Sequence, residues 1–278
     1  MVNEKVKIGY KNMSSLTQEQ LNKSLWAGAD DMRKSMSADD YKDYLLGLVF
    51  FKNLSDEILY EVVDLVENRK PESLEEAQKI FERYYLSEDK DLLEEEIRKK
   101  FGCFIKPEST FSHLAKEVAD RTFMLSSLSQ IFRDIEQSQG LFYEGLFEDF
   151  DINSKKLGKT AAEANKLISS VIIQLADIDF HSYGHDALGD AYEYLISKFA
   201  SESGKKAGEF YTPRAVSRLL ARIVTDGQEH KNAFSVYDPT MGSGSLLLQV
   251  KNFIVDSPTL NLRKLCKMLD SSQWPLET

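Results

Sequence analysis

Apolar residues recur at helical spacing through most of the first 200 positions, dividing the segment into a run of amphipathic helices. Leu21, Leu25 and Trp26 share a face after Thr17 and Gln20, which have capping-box spacing. Ser37 stands where an N-cap belongs, before Tyr41, Tyr44, Leu45 and Leu48 at i, i+3, i+4 and i+7. Ile58, Leu59, Val62, Val63 and Val66 form a third apolar stripe. Ser73 and Glu76, just after Pro71, make another capping box ahead of Ile80, Phe81 and Tyr84. Residues 91–100 are mostly charged and predict a surface helix. Phe123, Leu125, Leu128, Ile131, Phe132 and Ile135 predict a further helix ending near Gly140.

Residues 140–158 are irregular, with Gly140, Gly145 and Gly158 as breakers, and predict a boundary between domains at 1–150 and 151–278. Thr160 and Glu163 then cap a helix carrying Ala164, Leu167, Ile168, Val171, Ile172 and Leu175 on one side. Asp186 is placed to cap the next, which buries Leu188, Ala191, Tyr192, Leu195, Ile196 and Phe199.

The pattern changes after Ser201 to a polar, glycine-containing loop. Pro213 sits where a helix can begin, since its missing N–H has no intrahelical acceptor there. Val216, Leu219, Leu220 and Ile223 predict the buried face of that helix. Arg214, Arg218 and Arg222 form a basic stripe at i, i+4 and i+8, better read as a solvated face than as a DNA contact. Phe234 to Tyr237 predicts a short strand running into Asp238-Pro-Thr-Met-Gly-Ser-Gly-Ser245, after which Leu246, Leu247, Leu248 and Val250 open a buried helix.

Composition narrows the class. Hydrophobic residues at 42% and charged residues at 29% are those of an ordinary globular chain. Lys and Arg total 35 against 45 Asp and Glu, a formal net charge of −10. Bulk charge therefore opposes contact with nucleic acid, and any such contact needs a local basic face or a partner. Cys103 and Cys266 are far apart and show no metal-ligand spacing, which argues against a disulfide scaffold or a zinc site. His181 and His185 lie in one loop without a defined third ligand and read as polar loop residues rather than a metal site. No signal-peptide core and no apolar run of membrane-spanning length is present, so a cytoplasmic protein without membrane attachment is expected.

Strand, acid, glycine turn and helix in succession can cradle a nucleotide or cofactor. Gly242 and Gly244 permit positive φ and a close ligand, and the following helix presents free N–H groups. Asp238, at the strand's carboxyl end, can accept from an ammonium. These properties suit the methionine part of S-adenosylmethionine, which carries both an amine and a carboxylate. A P-loop would need Lys and Ser/Thr after the glycines, but Gly244 is followed by Ser245 and Leu246. A dinucleotide fingerprint would need a third glycine where Leu247 stands. A plain strand-to-helix turn stays open on these residues alone.

Asp238-Pro-Thr-Met-Gly-Ser-Gly244 resembles the cofactor motif of the DNA amino-methyltransferases. Gly208-Glu-Phe-Tyr-Thr-Pro-Arg214 resembles the second cofactor motif found just upstream in the modification subunits of type I restriction-modification systems. Leu188–Leu195, Leu25–Asp30 and Tyr44–Asp56 are similar to further segments of that family, and the resemblance runs from about residue 20 to about residue 252. It implies an N-terminal helical domain at 1–150, then the start of an α/β Rossmann-like, class I methyltransferase domain at 151–278, mainly α over this length. It implies S-adenosylmethionine as cofactor, with Glu209, Phe210, Tyr211, Thr212, Pro213 and Arg214 wrapping one side. Asp238, Gly242, Ser243, Gly244 and Ser245 would hold its methionine end. Phe210 and Tyr211 could instead pin a loop to the core. The implied activity is adenine-N6 methylation of duplex DNA. The implied partners are specificity and restriction subunits, a second modification subunit, and DNA reached through the complex.

The sequence departs from the family in two respects. The family receives the flipped adenine with Asn/Asp-Pro-Pro-Tyr/Phe, and no Pro-Pro pair occurs in the 278 residues. No catalytic residue is therefore assigned, and Asp256 and Asp270 are weak substitutes for the acid that would hold the ribose. The expectation is a chain that ends inside its catalytic domain and is inactive alone. The alternative is a helical protein-interaction module with a vestigial cofactor half-site. Methylation of RNA or protein would use a similar glycine loop.

Overall fold

The structure, a computed structural model, describes residues 18–138, 142–183, 187–202, 212–227, 236–239, 245–251 and 253–254. It divides into two compact units, Met1–Phe199 and Ala200–Thr278.

The first unit is helical and built on one long element. α1 (Gln18–Gly28) and α2 (Asp30–Arg33) lead into α3, which runs unbroken from Ala38 to Glu67. The two apolar stripes expected to be separate helices, Tyr41–Leu48 and Ile58–Val66, are thus one. Lys52 and Asp56 between them lie one helical turn apart and pair with each other, each side chain 1% exposed. The two charges enter the core together, and the helix has no reason to break. Asn68 ends α3 in the left-handed conformation at φ 51°, its N–H donating to the Asp64 carbonyl.

α4 (Leu74–Tyr85), α5 (Lys90–Phe101), α6 (Phe111–Ala119), α7 (Leu125–Glu136) and α8 (Ala161–Ala176) follow. Of these, α4, α5, α6 and α8 all rest on α3, and α7 packs on α8. The capping boxes form. The Ser73 hydroxyl accepts from Glu76 N at 3.1 Å, and Glu76 reaches back to Glu72 N at 2.6 Å. Thr160 accepts from Glu163 N at 3.2 Å, and Glu163 accepts from Lys159 N at 2.7 Å. Ser37 occupies the N-cap of α3, but its hydroxyl donates to the Asp40 carboxylate at 2.7 Å instead of capping an amide. α5 is charged yet buries Leu93 and Ile97. Thr17, Gly140 and Asp186 lie outside the described residues.

The irregular stretch expected to separate two domains lies inside this unit. Phe147 stacks on Phe132 with ring centroids 3.8 Å apart, and Phe150 meets Tyr44 edge to face at 5.0 Å. The Tyr44 hydroxyl donates to the Asp151 carbonyl at 3.0 Å. Phe150 fits because Gly47 faces it: a Cβ there would lie 3.1 Å from the Phe150 ring. Gly145 sits in a turn of a segment that the aromatics fasten down, and the division between compact units falls after Phe199, not after residue 150. α9 (Ala187–Glu202) buries Ala191, Leu195 and Phe199, and sets Tyr194 and Phe199 against Trp26 of α1.

In the second unit α10 (Arg214–Thr225) packs against α11 (Ser245–Lys251). Among the described residues there is no strand. Val236 and Tyr237 of the expected strand are irregular, and Phe234 and Ser235 lie outside the described residues. The mainly helical expectation holds, while the described residues do not contain the α/β start. No described helix is long and apolar enough to cross a membrane.

Candidate functional site

The two segments that resemble cofactor motifs lead into α10 and α11, helices described in the second unit. Pro213 is the N-cap of α10, with φ −55° and ψ 139°, and its carbonyl accepts from Val216 N at 2.8 Å and Ser217 N at 3.0 Å. Thr212 is half-buried and Pro213 exposed. Arg214 opens α10 and Ser245 opens α11; only their backbones are described. Asp238 is half-buried, seven residues before α11. Glu209, Phe210, Tyr211, Gly242, Ser243 and Gly244 lie outside the described residues.

One small core brings the flanks of these segments together. Ala221 of α10, Val250 of α11 and Ile254 are buried against one another, and Val236 and Phe253 pack on them. Val236 stands two residues before Asp238, so the chain before the glycine-rich segment and the helix after it share a core with the helix that follows Pro213.

The face that α10 uses is not the expected one. Ser217, Ala221 and Thr225, at i, i+4 and i+8, are its buried residues. The Thr225 hydroxyl donates to the Ala221 carbonyl at 2.9 Å, which satisfies it without a partner outside the helix. Val216, Leu219, Leu220 and Ile223, expected to be buried, are 43% to 61% exposed. Periodicity groups residues on a face; it does not say which face a neighbour covers. A ridge of small residues permits the close approach of a short helix that larger side chains would prevent. Arg218 and Arg222 are exposed, as a solvated stripe should be.

The loop carrying His181 is held to α3 by polar contacts. The Tyr60 hydroxyl donates to one oxygen of Asp179 at 2.8 Å, and the His181 amide donates to the other at 3.0 Å. The His181 ring lies 3.5 Å from the Glu57 carboxylate through Nδ1. Among the described residues no three His, Cys, Asp or Glu side chains converge as a metal site would require. His185 lies outside the described residues. Nearby, burial outweighs Lys52 and raises the Asp56 carboxyl to about 7. The sequence reading did not single out this pair; its signal was a Lys and an Asp at i, i+4 inside an otherwise apolar stretch. Cys103 is a buried free thiol, raised by burial to about 11, which makes it unreactive.

Comparison with known proteins bears on both units. Residues 21–175 match the family model for the HsdM N-terminal domain, and residues 183–266 match that for N-6 DNA methylase. The chain is 34% identical over 245 residues to the type I restriction enzyme MpnII methylase subunit of Mycoplasma pneumoniae, covering 83% of this chain and 44% of that protein. It is 30% identical over 259 residues to the MjaVIII methylase subunit of Methanocaldococcus jannaschii, covering 91% of this chain and 39% of that protein. The crystal structure of a type I restriction-modification methyltransferase subunit from Streptococcus thermophilus superposes with a TM-score of 0.79 at 46% identity, covering 85% of this chain and 50% of that one. The chain thus spans half or less of the length of each of these relatives.

Proposed function

Because this chain belongs to the methylase-subunit family of type I restriction-modification systems, we propose that it binds S-adenosylmethionine between Glu209–Arg214 and Asp238–Ser245. We propose further that this site serves adenine-N6 methylation of duplex DNA. The observation that carries the reading is the shared core of Ala221, Val250 and Val236, into which both motif-bearing segments lead.

The residues fit the cofactor chemically. Asp238, half-buried at the entrance to the turn, offers a carboxylate to an ammonium group. Gly242 and Gly244 carry no side chains, which would let backbone amides of that segment approach a ligand closely. Phe210 and Tyr211 offer flat apolar surface to an adenine ring, and Thr212 and Pro213 fix where that segment meets α10. Bound S-adenosylmethionine supplies an electrophilic methyl group on a sulfonium. The 278 residues contain no Asn/Asp-Pro-Pro-Tyr/Phe run, so on this reading they furnish the cofactor side of the reaction but not the pocket for the base. Target choice rests with a specificity subunit, and a second modification subunit and a restriction subunit complete the assembly.

Calorimetric titration with S-adenosylmethionine tests the reading. The chain should bind, and Asp238→Ala should abolish the heat while leaving the far-ultraviolet circular dichroism unchanged. Equal binding by the variant would overturn the assignment. Absence of binding together with retained association to partner subunits would favour an interaction module. No labelled methyl group should reach DNA from a polypeptide of these 278 residues.

A further inference from the structure

An acidic chain that acts on DNA would need a local basic face, and the first unit carries a cluster of lysines. An open cleft of about 660 Å³ lies between the end of α2, residues 155–159 and α8. Five lysines line it, Lys34, Lys155, Lys156, Lys159 and Lys166, against two carboxylates, Asp31 and Glu163. All five are exposed. The chain as a whole carries 45 acidic against 35 basic residues, so this excess is local and of opposite sign.

The carboxylates of the cleft are already engaged. Asp31 pairs with Lys34 at 2.9 Å, and Glu163 accepts the Lys159 amide in its capping box. Lys156 pairs with Asp40 at 2.6 Å. Lys155 and Lys159 form no close ion pair among the described residues, and Lys166 makes only a longer-range contact with Asp31.

The lysine-bearing segment is anchored to a rigid body. Leu157 is buried, and Gly158 passes so close to α8 that a Cβ there would lie 2.6 Å from Glu163 Cβ. The ammonium groups therefore stand on a fixed backbone while their stems stay free. Among the described residues no arginine lines the cleft. Lysines are compact point charges without the planar fork that reads a base edge, so this chemistry suits phosphates and not base sequence.

We propose that this cleft is a contact for the phosphate backbone of duplex DNA. The proposal rests on the reading above that DNA is the substrate, and adds where a chain of net negative charge can touch it. An acidic polypeptide could satisfy the same charges, but a continuous phosphate array offers closely spaced anions to these three lysines at once.

Fluorescence anisotropy with a labelled duplex of arbitrary sequence, at about 50 mM salt, tests it. Charge reversal of Lys155, Lys159 and Lys166 to Glu should weaken binding at least tenfold. The slope of log affinity against log salt should become shallower by about 2.7, at about 0.9 per phosphate contact. The matched reversal of Lys79, Lys90 and Lys99 on α4 and α5 should change neither. A Gln triple variant, expected to weaken binding less but in the same direction, serves if the Glu variant fails to fold. Absence of duplex binding by the unaltered chain, equal losses in both triple variants, or lysine-dependent binding of polyglutamate in place of duplex would each overturn the proposal. Calorimetry with S-adenosylmethionine on the same variants keeps the two readings apart: intact cofactor binding with unaltered DNA affinity sinks the cleft alone.

Discussion

The ring of His181 lies nearly parallel to that of Tyr60, with centroids 4.1 Å apart and planes inclined by 17°. The contact fixes the turn Phe180–Tyr183 against α3, where the match to one family model has ended and the other begins. Burial and the neighbouring Asp179 carboxylate hold the Tyr60 phenol above its ordinary range, so it stays a hydrogen-bond donor. Tyr60→Phe keeps the stack and removes the bond to Asp179. It should cost about 1 kcal/mol in denaturant unfolding, and His181→Ala should add a further, separable loss.

Asp56 sets a pH dependence. Burial raises its carboxyl to about 7, above the value it has in the unfolded chain. The folded state therefore holds a proton that the unfolded state releases between about pH 4 and pH 7. That contribution is fully present below the unfolded value and is lost as pH rises through about 7. Comparison with Asp56→Asn isolates it from the exposed carboxylates, which act in the opposite sense. The stability of the unaltered chain relative to the variant should fall as pH goes from 4 to 7 and level off above.

Removing one member of the Lys52–Asp56 pair should be far worse than removing both. One Asp56 oxygen is buried without a hydrogen-bond partner, and the other meets Lys52. Lys52→Met alone leaves an unpaired, protonated carboxyl in the core and should cost about 1–3 kcal/mol, whereas Lys52→Met with Asp56→Leu should recover most of it. Thermal melts of the single and double variants decide this.

Ser55 holds the start of α6. Its buried hydroxyl accepts from Phe111 N at 2.8 Å. Ser55→Ala leaves that amide unsatisfied and should destabilise by about 1–3 kcal/mol, read from the denaturant midpoint.

Gly158 is required by contact. A methyl group there would lie 2.6 Å from Glu163 Cβ and 2.9 Å from Ala164 N, both fixed by the first turn of α8. Gly158→Ala should cost about 1–3 kcal/mol, while Gly145→Ala, whose nearest neighbour is the flexible end of Glu148 at 3.7 Å, should report only the strain of its left-handed backbone.

Much of the helical unit could be read from the chain, because amphipathic stripes and capping boxes are local signals. Ser73 with Glu76 and Thr160 with Glu163 behave as their spacing says. What escaped depends on partners distant in sequence. Nothing near Phe147 or Phe150 announces that Phe132 and Tyr44 wait for them, so a fastened segment read as a domain boundary. The continuity of α3 was hidden by two charges that cancel only once the helix has formed. On α10 the larger apolar face drew the eye, yet Ser217, Ala221 and Thr225 make the contact. Of the candidate site, the order of the segments and the helices they open were legible; the convergence of five lysines from three stretches of chain was not.

At 30 residues α3 is about 45 Å long, and α4, α5, α6, α8 and the turn at 180–183 all lean on it. Few sub-global openings can then spare it. Its central amides, around Leu48 to Leu59, should be the last in the molecule to exchange with deuterium, and at the rate of complete unfolding. A protease cut anywhere along that stretch would divide the core of the first unit between two fragments, so the resistance of that unit to digestion should vanish in a single step.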